Sequence, residues 1–480
     1  MAKKRLFLIE WEHKDFGLID SIVKLKEQCE IVYWTAVNVD KEVDQSQFPG
    51  TIFQDQRETL FAKPAKGADI SGFEPMSEEL IKKFSETEAT VLTMMNKKYE
   101  RFLIEERKRI YYDILEYWYN VIKKYKPDAI VFSNVPHTVY DFVIYSLAKY
   151  LNIKTIMFDF VWVGDRYWLI NDYKKENAEM ERELEKNKNK NFSMSDLSED
   201  IRKHYERHLN PAVDATPWYH KEFKKNFKGF NFLKIKSKMV WESVADLSIF
   251  EKALKHISGK FKDNMRKEYS RVQTKPDLNR KFVYLPLSYQ PEASTCPLGE
   301  IYVDQILMIK TVAAALPDGW VIYVKEHPIQ WMPRGQKFFS YRYKGFYERI
   351  AEIKNVFVIP ADMNSYELIE KSQAIATVIS TVAWDGTLKL KQSLIFGYPW
   401  FIKAPGIFKV DGVESCKQAF GKITGGFRIK QQDVINYLAC LDKASSHGYM
   451  DEPFRIVSSV SKEENGKRFY EALISEINKK

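Results

Sequence analysis

Residues Val321-Ile322-Tyr323-Val324-Lys325-Glu326-His327-Pro328 decide how this chain is read. The apolar, β-branched half follows the turn signal Leu316-Pro317-Asp318-Gly319, and the run ends in three ionisable residues and a proline. That pattern predicts a buried strand whose carboxyl end delivers charge to a loop. In open α/β sheets, ligands sit beyond the carboxyl ends of the strands, so a ligand is expected at this end.

The same pattern recurs on both sides. Upstream, 282–287 reads as a strand, 288–300 as a polar loop and 301–316 as a helix. Downstream, 356–359, 374–378 and 394–396 read as strands, with helices near 346–353, 365–371 and 380–391. An earlier series has strands at 5–11, 30–35, 129–134 and 155–160, and helical spacing at 16–26, 78–124 and 139–150. Strands alternating with helices predict parallel sheets, so the fold class is α/β, with two Rossmann-like halves facing a cleft. The expected divisions are a first Rossmann-like domain at 1–173, a charged and basic helical insertion at 174–280, a nucleotide-binding domain at 281–440 and closing helices at 441–480. Within the insertion, 174–208 is rich in Asn, Lys and Glu and reads as an exposed helix or a mobile segment. The turn-rich stretch 37–77 gives no assignment, and the aromatics Tyr111 to Tyr119 read as core packing.

At 480 residues, with 45% hydrophobic and 14% aromatic content, the chain is too long for one core. Its net charge of +9 is uneven: residues 221–281 hold 17 Lys and Arg against 7 Asp and Glu. Around that stretch, 218–281 interleaves Phe223, Phe227, Phe230, Phe232 and Trp241 with lysines. It suits an anionic membrane surface, or else forms a solvated helical face. No nucleic-acid motif accompanies it, so no nucleic-acid partner is expected. The cysteines Cys29, Cys296, Cys416 and Cys440 form no C-x-x-C pair and read as reduced thiols. The basic N-terminus precedes an apolar run too short for a signal peptide, and no 18-residue window is free of charge. A cytoplasmic protein, peripheral at the inner membrane face, is expected.

His327 sits at a strand end, where it can donate to a phosphate or carboxylate with Lys325 nearby, and Pro328 fixes the turn. Ser380-Thr381 mark a second strand-to-helix junction in the same predicted sheet, and free amides at a helix N-terminus bind anions. A plain helix cap is the alternative reading. Two anion-competent loops at one sheet edge point to a nucleotide phosphate.

Three ordered segments carry a family resemblance: FVYLPLSYQPEASTCPLG at 282–299, GWVIYVKEHP at 319–328 and SYELIEKSQAIATVISTVAWDGTLKLKQSLIFG at 365–397. They resemble the bacterial capsule polysaccharide biosynthesis glycosyltransferases, a GT-B family whose members include transferases that use CMP-Kdo. The resemblance implies a GT-B fold and a metal-independent glycosyltransferase of surface polysaccharide synthesis. It would have a nucleotide-sugar donor, CMP-linked and Kdo-like, a glycan or lipid-linked glycan acceptor, and no resident cofactor. Its HP motif falls on His327-Pro328, beside Lys325 and Glu326, and contacts the nucleotide phosphate. Its Ser/Thr junction falls on Ser380-Thr381, and its polar first loop on Ser288, Gln290 and Glu292. The family's Trp-Glu-Ala is Trp384-Asp385-Gly386 here, and its Gly-Lys-Pro is Leu390-Lys391-Gln392. The shorter Asp385 would meet a ribose or sugar hydroxyl differently. Residues 155–172 resemble the family's first-domain loop, in which an acidic residue follows a strand.

An inverting transferase needs a base for the acceptor hydroxyl. Asp159 is the first candidate and Asp165 the second. Glu10, Glu12 and His13 follow the first strand and are further cleft candidates. There is no D-x-D, P-loop, H-E-x-x-H or G-x-S-x-G. His204 and His208 share a helix face with the spacing of metal ligands, but lie in a segment that reads as exposed. Transfer of a polyol phosphate from a CDP-linked donor and a non-catalytic glycan- or membrane-binding scaffold remain as alternatives.

Overall fold

The computed structural model describes residues 3–210, 265–290, 295–328, 330–331 and 342–479. Two mainly parallel sheets organise them. The first runs β1 (Lys4–Ile9), β2 (Cys29–Ala36), β3 (Ile52–Asp55), β4 (Ala129–Phe132), β5 (Lys154–Val161) and β6 (Arg166–Ile170). The second runs β7 (Phe282–Pro286), β8 (Val321–Lys325), β9 (Val356–Val358), β10 (Ala374–Thr377), β11 (Ser393–Ile395) and β12 (Ile407–Lys409), and the short β13 (Ser446–His447) returns to the first sheet. Among the described residues the strand orders are β13-β6-β5-β4-β1-β2-β3 and β12-β11-β10-β7-β8-β9. Both orders reverse direction once, between β1 and β4 and between β7 and β10. At such a point the loops on either side diverge and leave a crevice.

The expected α/β fold with two parallel sheets is present. β4, β7, β8 and β10 are buried along their whole length, as strands covered on both faces must be. Their continuous apolar runs are why the sequence shows them clearly. Within 155–172, the stretch that resembles the family's first-domain loop, residues 166–170 form a strand. These residues form β6, antiparallel to β5, with Asp159 opposite Trp168. Residues 174–208 hold two helices, as one of the two readings expected, each exposed on one face and packed on the other. Helix Ala178–Asn187 packs on helix Gln431–Ala444, and helix Glu199–Leu209 packs on helix Thr381–Leu388.

The chain's end closes over its beginning. Helix Lys462–Asn478 lies on helix Leu18–Leu25, and the approach is close enough that a side-chain carbon at Gly466 would collide with the backbone of Gly17. Gly17 itself has φ +79°, which favours glycine. Asn465, fully buried, fixes the register by donating to Phe16 O and Tyr449 O, both at 2.9 Å.

The two sheets are joined by packing. Tyr173 meets Tyr398 edge-on at 6.2 Å, Lys174 pairs with Glu300, Lys403 pairs with Glu176 at 2.6 Å, and one apolar cluster runs from Tyr173 through Trp384 to Tyr437. No helix among the described residues is long and apolar enough to cross a membrane. All four cysteines are buried thiols. The basic stretch 218–281 lies mostly outside the described residues, as does Glu292.

Candidate functional site

β8, β7 and β10 are neighbours in that order. The loops that follow them therefore stand side by side, spaced by about 4.8 Å per strand. The first two are fastened together by Arg342. Its guanidinium donates to Glu326 Oε2 at 2.9 Å and Oε1 at 3.0 Å, to Gln290 Oε1 at 2.6 Å and to Ser288 O at 3.0 Å. Glu326 also accepts from Tyr347 Oη at 2.6 Å and from the His327 amide at 2.7 Å. A fork-to-fork pair of this kind is geometrically exacting, so it fixes both loops at once.

This arrangement corrects part of the donor-binding expectation. Glu326 has no exposed surface and is the anchor of the loop, not a ligand-facing group. Lys325, 3% exposed, gives its ammonium to Met363 O at 2.9 Å and Ser365 Oγ at 2.6 Å. Burial brings its pKa down to about 8. The Gln290 side chain is spent on Arg342 and on Val303 O. The half-buried His327, edge-on to Tyr289 at 6.1 Å, and the exposed Pro328 lie at the rim. Ser288 Oγ is buried beneath them without a hydrogen-bond partner. Arg342 was missed from sequence because nothing in its neighbourhood marks it: its partners come from two other loops.

At the β10 end, Ser380 caps helix Thr381–Leu388 by accepting from the Val382 amide at 3.3 Å. Thr381 and Asp385 line a cavity of about 230 Å³. Its opposite wall comes from the first half: Trp162 and Gly164 in the β5–β6 turn, and Lys203, His204 and His208. His204 and His208 are therefore interior groups, contrary to the exposed setting expected of them. His204 Nε2 accepts from Trp384 Nε1 at 3.1 Å, and His208 Nε2 meets Asp385 Oδ1 at 3.1 Å.

A second cavity of about 290 Å³ lies alongside. Asp159, Trp168 and Tyr173 face Tyr398, Trp400 and Lys409 across it. Trp384 and Trp400, 4.8 Å apart, form the partition between the two cavities. Burial pushes Asp159 up to about 6, against the opposing effect of a hydrogen bond from Trp168 Nε1 at 2.9 Å. A carboxyl held there changes protonation state close to neutrality, as a general base should.

Asp165 has a different setting. Burial would raise it, but His447 at 2.6 Å and the Ser458 hydroxyl outweigh that and hold it below the usual range. It joins the β5–β6 turn to the chain's C-terminal portion, which corrects its candidacy as a base. On the β1 side, burial raises Glu12 to about 7 although the Val37 amide donates to it at 2.7 Å. The exposed His13 lies 3.5 Å from Glu12. Glu10 accepts from Thr138 Oγ1 at 2.6 Å. Asp141, which the sequence did not suggest, is raised to about 6 by burial and by Glu10. It organises the β4 loop by accepting from the His137 and Thr138 amides at 2.8 and 2.7 Å.

The fold is that of an α/β protein with two mainly parallel sheets, and the β8, β7 and β10 loops stand together at the second switch point. Residues 245–421 match the family described as capsule polysaccharide biosynthesis protein, so the family resemblance carried by the three motifs is borne out. No curated protein matches the chain. Among solved structures, the β-Kdo 2,7 transferase of KpsC from Thermosulfurimonas dismutans is similar at 10% identity and a TM-score of 0.31, covering 75% of this chain and 89% of that one. The β-Kdo 2,4 transferase of the same protein is similar at 15% identity and 0.27, covering 65% and 79%. The UDP-GlcNAc 2-epimerase of Methanocaldococcus jannaschii is similar at 13% identity and 0.24, covering 98% and 99%. Likenesses this weak add nothing to the topology.

Proposed function

We propose that this protein is a glycosyltransferase of capsule-type polysaccharide synthesis. It transfers a sugar from a nucleotide-activated donor, CMP-linked and Kdo-like, to a hydroxyl of a glycan or lipid-linked glycan. The observation that carries this reading is the adjacency of the β8, β7 and β10 loops at a switch point, with an Asp159 carboxyl raised to about 6 in the neighbouring cavity. His327 and the Ser380-Thr381 amides would meet the phosphate, and preorganised donors of this kind stabilise a leaving nucleotide without reorganisation. Asp385, one helical turn beyond Thr381, would accept from a ribose hydroxyl. Asp159 would take the proton of the acceptor hydroxyl. The reading calls for no resident cofactor, and it places the acceptor at a membrane face through the basic stretch 218–281.

The Asp385-Gly386 and Leu390 departures from the family's motif favour a second reading, a non-catalytic glycan- or membrane-binding scaffold. A thermal-shift panel of CMP, CDP, UDP, GDP and ATP on the parent and on His327→Ala separates the two. A nucleotide at 100 times its Kd adds about 2.7 kcal/mol, a shift of roughly 5–11 °C for a domain of this size. A shift with CMP, lost in His327→Ala, supports the proposal. A shift with CDP alone moves the donor towards a CDP-linked polyol, and no shift with any nucleotide supports the scaffold.

A further inference from the structure

Helix Glu199–Leu209 lies outside the family-matched segment 245–421, yet it reaches the one motif residue that departs from the family's glutamate. His208, 6% exposed, holds Asp385 through a full set of contacts. Its Nδ1 lies 2.7 Å from His204 O and its Nε2 lies 3.1 Å from Asp385 Oδ1. A carbonyl only accepts, so Nδ1 donates to it, and Nε2 is the ring atom turned to the carboxylate. Around it, Lys389 Nζ donates to the His208 carbonyl at 2.7 Å and the His204 ring lies against it, tilted, at 4.4 Å. The charged groups facing the ring from the opposing helix are thus Asp385 and Lys389. Arg166, 1% exposed, fixes the start of the helix through Asp200 at 2.8 Å and Ser198 at 2.9 Å. Asp385 Oδ2 accepts no hydrogen bond from the described residues and borders the 230 Å³ cavity shared with Thr381 and Trp162.

We infer that His208 is a positioning residue of the nucleotide site: its Nε2, held against Asp385 Oδ1, orients the carboxyl and leaves Oδ2 to accept from a ribose hydroxyl in the cavity. The aspartate is one methylene shorter than the family's glutamate, and the histidine from outside the family segment supplies the support that a longer arm would not need. The inference rests on the nucleotide-sugar reading above.

The test is the affinity of the full chain for CMP and UDP, and for the 2′,3′-dideoxy form of each, by calorimetry. The ribo-to-dideoxy ratio cancels what the base and the phosphate contribute. In the parent the ribo form binds about ten- to hundredfold tighter, the scale of one charge-assisted hydrogen bond. In His208→Leu, which removes the ring nitrogens and keeps the bulk, the ratio falls towards one, and in His208→Gln, whose amide can donate to Oδ1, it is restored. In Asp385→Asn the discrimination is lost. A ratio that His208→Leu leaves at the parental value overturns the role of His208 alone. A parent that binds neither nucleotide overturns the nucleotide reading, and this inference with it.

Discussion

At the carboxyl edge of the first sheet, burial lifts Glu12 to about 7 and Asp141 and Asp159 to about 6. At the same edge of the second sheet, Glu326 is fully buried and instead meets the Arg342 guanidinium, a phenol and an amide. The same side-chain chemistry is thus used in two ways. Where a buried carboxyl has only neutral donors, desolvation wins and the group is poised to exchange protons. Where a buried guanidinium faces it, the pair becomes a rivet that holds loops rigid. One edge holds carboxyls that exchange protons near neutrality, the other holds loops fixed by an ion pair.

The largest effect should come from breaking the rivet. Arg342→Met leaves Glu326 buried without its partner, and loss of one member of such a pair costs about 3–5 kcal/mol. Urea denaturation should show it, and the double variant with Glu326→Gln should recover part of the loss. If the single variant matched the parent, the contrast between the edges would fail.

Next is Asp159→Asn. A positioned base contributes about 10²- to 10⁴-fold, so kcat should fall by that range while nucleotide binding is kept. In the parent, kcat should rise with pH through about 6, the value at which Asp159 loses its proton. Retained turnover would move the base to Glu12 or Asp141.

A smaller effect of opposite sign accompanies it. Asp159 is raised above its unfolded value, so between about pH 4 and pH 6 the folded state binds more protons than the unfolded one. Stability contributed by this group is therefore highest in acid and declines as pH rises through that window. Asp159→Asn removes the decline. At pH 7 it should unfold later than the parent, by about 1–2 kcal/mol once solvent screening of a partly exposed carboxyl is allowed for. A variant equal to or weaker than the parent at pH 7 would mean that the carboxylate is held by more than the Trp168 indole.

The smallest effect belongs to Lys203→Ala at the cavity rim. Its ion pair with Glu199 is exposed, 67% and 70% at the two side chains, and such pairs give under about 0.5 kcal/mol. A thermal midpoint within a degree of the parent's is expected.

Much of the fold was legible because strands covered on both faces write their burial into consecutive residues, as in Phe282–Pro286 and Ala374–Thr377. β3, β6 and β12 were not, because short or marginal strands depend on neighbours for their pairing. The same limit governs the site. That His327, Ser380 and Thr381 stand on one sheet edge followed from local pattern alone, since a strand's end and the helix after it are contiguous in sequence. Which of the charged residues face a ligand did not. Glu326 is taken by an arginine from another loop, Asp165 by a histidine 282 residues away and Asp385 by a histidine of a helix outside the family segment. A residue's type sets what it can do, but the charge and desolvation that decide what it does come from groups that only the folded chain brings within 3 Å.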